Sequence, residues 1–114
     1  MPSDLYRRML EYDYGDEDRR DLMEKVWSGT PWMVDAFTDG INSPRERAMI
    51  EWCRDEFGDE AWPIHGKSGS WHYGCVTIHG WTWFGFDTED KMHQFCERWP
   101  APSRAALKTE GRNE

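Results

Sequence analysis

Branched aliphatic side chains are nearly missing from this chain, and that limits how it can fold. Leu, Ile and Val number only 4, 4 and 3 in 114 residues, whereas eight Trp, five Phe and four Tyr supply 17 rings. With 22 acidic against 14 basic side chains the net charge is −8, a balance that leaves many chains disordered. Aromatic rings can replace the missing aliphatics, because each buries roughly 150–250 Å². Six Met residues can fill the irregular gaps between flat rings. The expectation is therefore one folded domain built around an aromatic core.

The same figures exclude several classes of function. No apolar run approaches the roughly 18 residues of a membrane span. The opening Met1-Pro2-Ser3-Asp4 has no basic stretch followed by an apolar one, so no secretory leader is expected. Three Cys, at positions 53, 75 and 96, are odd in number and far apart, which suits reduced thiols in a cytoplasm better than a disulfide framework. A charge of −8 repels phosphate, so direct binding of nucleic acid is not expected and a basic protein partner is.

Along the chain, Ser3 is a candidate cap for a short helix bearing Leu5, Tyr6, Met9 and Leu10 at helical spacing. After Gly15, Asp16 to Asp18 stand where a second helix would start, running to about Trp27 with Leu22, Met23, Val26 and Trp27 on one face. Thr30 as cap and Pro31 in the first turn predict a third helix closed by Gly40. Ser43, Pro44 and Glu46 form a capping box ahead of Met49, Ile50, Cys53 and Phe57, and Gly58 ends that helix. A strand is expected over about 61–65, at a sheet edge because of Pro63. Trp71 to Ile78 and Trp81 to Phe86 read as a hairpin turning at His79-Gly80, with Ile78 opposite Trp81 and Val76 opposite Trp83. Asp87 would cap a last helix with Met92, Phe95, Cys96 and Trp99 on its stripe.

The predicted class is α+β: N-terminal helices followed by an α-β-β-β-α unit with a three-stranded antiparallel sheet. Residues 1–99 form the domain, with 1–42 helical and 43–99 carrying the sheet, and 100–114 are a polar tail.

Chemistry has few footholds. Cys75, His79, His93 and Cys96 include zinc-ligand types, but four strand residues separate the first two by about 13 Å, and no fourth ligand stands near the other three. They read as core, with no metal and no cofactor. Gly66-Lys67-Ser68 copies the end of a phosphate-binding loop, yet Ala61 stands where its first Gly belongs. No catalytic residue is assigned.

Two recognition surfaces remain. One is the acidic set Asp13, Asp16, Glu17, Asp18 and Asp21, with Asp55, Glu56, Asp59 and Glu60 as a second cluster, since rows of carboxylates imitate a phosphate backbone. The other is the Trp81 and Trp83 face of the hairpin, for which cover by the N-terminal helices is the favoured reading. Trp71-His72-Tyr73-Gly74, Thr82-Trp83-Phe84-Gly85-Phe86, and then Asp90, Phe95, Arg98 and Trp99, resemble the end of many small phage-encoded proteins. The likeness covers about residues 47–99 and implies the class of acidic inhibitors of host defence, of which the anti-CRISPR proteins are one group. It assigns no site residues. The expected partner is then a basic, nucleic-acid-binding subunit of a host defence complex. An immunity protein that neutralises a basic toxin is the alternative, and a small metal- or thiol-dependent enzyme a third reading.

Overall fold

The computed structural model describes residues 3–40, 42–76 and 80–100, with the side chains of Cys75 and Val76 outside that set. Two helices, α1 (Asp4–Glu11) and α2 (Glu17–Trp27), lead into a strand, β1 (Trp32–Phe37). Helix α3 (Pro44–Phe57) and a 3-10 turn at Pro63–His65 follow. Strands β2 (Trp71–Val76) and β3 (Trp81–Phe86) and helix α4 (Glu89–Arg98) complete the described chain. The class is α+β with helices first and one three-stranded antiparallel sheet, in the order β1-β3-β2.

The first strand is not where the sequence suggested. Within 61–65, Pro63–His65 form the 3-10 turn and Trp62 makes an isolated bridge to Lys67. The sheet instead recruits Trp32–Phe37, where a third helix was expected. Trp32, Val34 and Ala36 alternate with Met33, Asp35 and Phe37, and β3 pairs with all six, from Trp32 opposite Phe86 to Phe37 opposite Trp81. A strand partner some 50 residues away outweighs the local cap signals of Thr30 and Pro31.

Helices cover both faces of this sheet. Towards α3 and α4 lie Ala36, Trp71, Phe84 and Phe86, packed on Met49, Ile50, Cys53 and Phe95. Phe95 stacks on Phe84 with ring centres 4.7 Å apart and sits 5.2 Å from Phe86. Towards α1 and α2 lie Met33 and Trp83, packed on Met9, Val26 and Trp27. The hairpin faces thus divide as the sequence suggested, and Trp83 meets Trp27 edge-on at 5.9 Å. The N-terminal helices pack on Trp83, whereas Trp81 meets the Phe37 ring edge-on at 5.5 Å. Leu22, expected to point inward, is 47% exposed, and Cys96 on the α4 stripe is exposed.

Local details depart in three places. The Ser3 hydroxyl makes no cap bond; it donates to the Pro31 carbonyl at 3.2 Å and accepts the Met33 N–H at 2.8 Å, tying α1 to β1. Thr88, not Asp87, caps α4 by accepting the Lys91 N–H, while Asp87 pairs with the Lys91 ammonium at 2.8 Å. A bulge between Gly74 and Val76 sets Val76 opposite Thr82 and Gly74 opposite Trp83, so the register differs from that of a plain two-residue hairpin. The turn residues 77–79 lie outside the described residues.

Gly85 is required where β3 passes under the end of α2. A Cβ there would come within 2.5 Å of the Thr30 carbonyl oxygen and 3.0 Å of the Trp27 ring. Because the nearer obstacle is backbone, Gly85→Ala should destabilise by about 1–3 kcal/mol, read from urea unfolding. An unchanged midpoint would show that α2 packs less closely than described.

Candidate partner-binding surface

Helices α1 and α2 are joined by a tight acidic turn whose carboxylates do structural work first. Asp13 accepts the Gly15 N–H at 2.9 Å, and Gly15 has the positive φ of 71° that such a turn needs. Asp16 caps α2 by accepting the Asp18 N–H at 2.9 Å. Glu17 and Asp18 occupy the first turn, where the positive end of the helix dipole favours them. The Tyr14 hydroxyl donates to the Met9 carbonyl at 2.9 Å and pins the turn back on α1.

An open cleft of about 530 Å³ results, walled by Glu11, Asp13, Asp16 and Glu17, with Arg20 the one cation on its lining among the described residues. Tyr12 stands on it 64% exposed, its ring edge-on to Tyr14 at 4.8 Å. Asp18 and Asp21 are exposed on α2 outside the cleft lining. Reasoning from charge alone missed Tyr12. The signal was present, in a Tyr-x-Tyr pair set inside the acidic run.

The second acidic cluster separates into two kinds. Asp55 and Glu56 are exposed, and Asp59 is exposed with Lys67 at 3.9 Å. Glu60 is not a surface charge. It is only 5% exposed, and its oxygens accept from Arg54 Nε at 2.9 Å and from the terminal guanidinium nitrogen at 2.7 Å. Those bonds hold its carboxyl at about 2, against an opposing push from burial. Glu60 therefore leaves the candidate set as a structural ion pair.

Nor do the clusters converge. The last turn of α2 and residues 28–30 line a cleft shared with 61–69, so it is the far end of α2 that meets this region. Asp16 lies a helix of 11 residues away from that end, roughly 16 Å at 1.5 Å per residue.

Groups with chemical potential are otherwise engaged. His72, 5% exposed, lies between Trp27 and Trp62, its Nδ1 2.8 Å from the Ala61 carbonyl oxygen, and burial lowers its pKa. Burial raises the thiol pKa of both Cys53 and Cys96, opposite to what a nucleophile needs. His93 sits 3.7 Å from Glu89 on the outer face of α4. Cys75 and His79, the other zinc candidates, fall outside the described side chains. Among the described residues no three His, Cys, Asp or Glu gather at metal-binding distance, and no helix is long and apolar enough to cross a membrane. Compared with known proteins, the chain matches no family model, no curated protein and no solved structure, so its surface has to be read from its own geometry.

Proposed function

We propose that this chain is a non-enzymatic binding protein that sets its acidic α1–α2 surface against a basic, nucleic-acid-binding surface of a bacterial defence complex. In this reading it is an inhibitor of the anti-CRISPR kind, carried by a phage or mobile element and acting in the host cytoplasm without a cofactor. The observation that carries the proposal is the open cleft lined by Asp13, Asp16 and Glu17 together with the exposed Tyr12. Carboxylates attract the lysines and arginines that line a nucleic-acid channel, and Tyr12 adds a face for cation–π contact. A net charge of −8 steers the whole molecule towards such a channel.

The test removes charge and keeps shape. Asp13→Asn, Asp16→Asn and Glu17→Gln combined preserve the turn and cap acceptors, so stability should change by less than about 1 kcal/mol. Expressed in a host with an active CRISPR system, the native chain should restore phage plaquing and the triple variant should lose that protection. Binding to the purified complex should compete with its nucleic acid and weaken by roughly tenfold or more in the variant and in high salt. Equal protection by the two proteins would sink the proposal.

A further inference from the structure

A cation drawn partly out of water usually takes a carboxylate partner, and in a chain with 22 acidic residues Arg45 has none among the described residues. It is also the one arginine among them that is not exposed. Arg8 pairs with Asp4 and Arg54 with Glu60. The Arg45 guanidinium instead lies 5.7 Å from the Phe37 ring centre and 5.5 Å from that of Trp99. Its Nε donates to the Phe37 carbonyl at 2.8 Å, and its two terminal nitrogens bond to no described residue. The neighbouring Trp99 indole N–H is buried with no acceptor, whereas that of Trp71 donates to the Gly58 carbonyl. Buried donors are nearly always satisfied, so idle donors on two adjacent side chains point to an acidic acceptor that the described residues do not supply.

Both side chains line a groove of about 600 Å³ that follows the edge strand β1 from Phe37 back to Met33, about 13 Å along the strand. Away from Arg45 its walls include Leu5, Met33, Trp83 and Met92. Charge is graded along it. Arg45 stands at the Phe37 end, and Asp4 stands at the other, where Ser3 Oγ accepts the Met33 N–H. Those same two contacts, Ser3 on Met33 and Arg45 on Phe37, obstruct the addition of a peptide strand to β1. We propose that the groove binds a medium-chain fatty carboxylate, its head group between Arg45 and Trp99 and its acyl chain directed towards Leu5 and Met33. One carboxylate oxygen accepts the indole N–H, and the other accepts from the terminal guanidinium nitrogens in a charge-assisted bond. The flexible thioethers of Met33 and Met92 adapt to an acyl chain that has no fixed shape. The groove shares no lining residue with the acidic cleft, so this proposal stands or falls independently of the inhibitor reading.

Decanoate titrated into the full chain, by calorimetry and by nitrogen–proton NMR of the indole groups, tests this. The native protein should bind one equivalent with a Kd below about 0.1 mM, and the indole signal that Trp99→Phe removes should be the one that moves most. Decanol keeps the chain and loses the anion, and hexanoate keeps the anion and loses most of the chain. Each should bind about tenfold or more weakly than decanoate. Arg45→Met should weaken decanoate by about tenfold while leaving decanol unchanged, with circular dichroism melting as the check on folding. These comparisons within the native protein decide the matter even where Arg45→Met fails to fold. Absence of saturable binding at about 1 mM decanoate would overturn the proposal. Equal affinity for decanoate and decanol would overturn it too, as would binding that leaves the Trp99 signal in place.

Discussion

Phe84→Ala should unfold the protein at modest denaturant concentration, losing about 3–5 kcal/mol of a total stability expected to be on the order of 5–15. Phe84 has no exposed surface and stands at the centre of the sheet's larger core. Its ring touches Trp71, Tyr73 and Phe95, so truncation opens a cavity bounded by flat groups that cannot flow into it. Trp83→Ala, one residue away on the opposite face, removes a half-buried ring whose main partner is Trp27, and should cost less, about 2 kcal/mol. Denaturant titrations of the two variants compare the faces directly. A Trp83→Ala variant as stable as the native chain would mean that the N-terminal helices do not seal the second face.

The second large effect concerns the Arg54–Glu60 pair. Arg54→Met leaves a carboxylate of 6% side-chain exposure without the two donors that satisfied it. The loss should be about 2–3 kcal/mol at neutral pH, below the range for a wholly buried pair because the Arg54 side is 46% exposed and water can reach it. The pH dependence carries the sign. Glu60 holds its carboxyl at about 2 in the folded chain against an ordinary 4.5, so its contribution is complete above about 4.5 and fades as pH falls towards 2. In the variant the Arg54 donors are gone while burial still pushes the carboxyl upward against a backbone hydrogen bond and Lys67, so its pKa rises and lowering the pH relieves the buried charge. The stability gap between the two proteins should therefore be wide at pH 7 and narrow by pH 3. A gap that is constant with pH would show that Arg54 stabilises through packing alone.

These two sites differ in how far the sequence foretold them. The division of Phe84 and Phe86 from Trp83 follows from strand alternation, a local property that survived the bulge near Gly74 because the bulge lies in β2. The ion pair was invisible because Arg54 and Glu60 are six residues apart across the turn at Gly58, a spacing that belongs to no helix face. Counting carboxylates could not separate Glu60 from Asp59, although one is buried and the other exposed. Likewise β1 reads locally as a capped helix, since Thr30, Pro31 and Gly40 carry stronger short-range signals than a six-residue strand interrupted by Asp35. The acidic turn at 13–18 was legible because its caps and its charges are the same residues.

The strand order β1-β3-β2 also decides when the sheet can form. β3 is the last of the described strands and the partner of both others, so neither of them has a ladder before Trp81 is made. β1 has to wait across a loop of about 50 residues, from Trp32 to Phe86, and that closure is entropically costly until the β2–β3 hairpin exists to receive it. During synthesis the two N-terminal helices and β1 thus emerge well before the strand that pairs with β1, and the sheet can assemble only late. Shortened chains ending before Trp81 would lack the central strand and leave β1 and β2 as unpaired edges, which makes them aggregation hazards rather than smaller working versions.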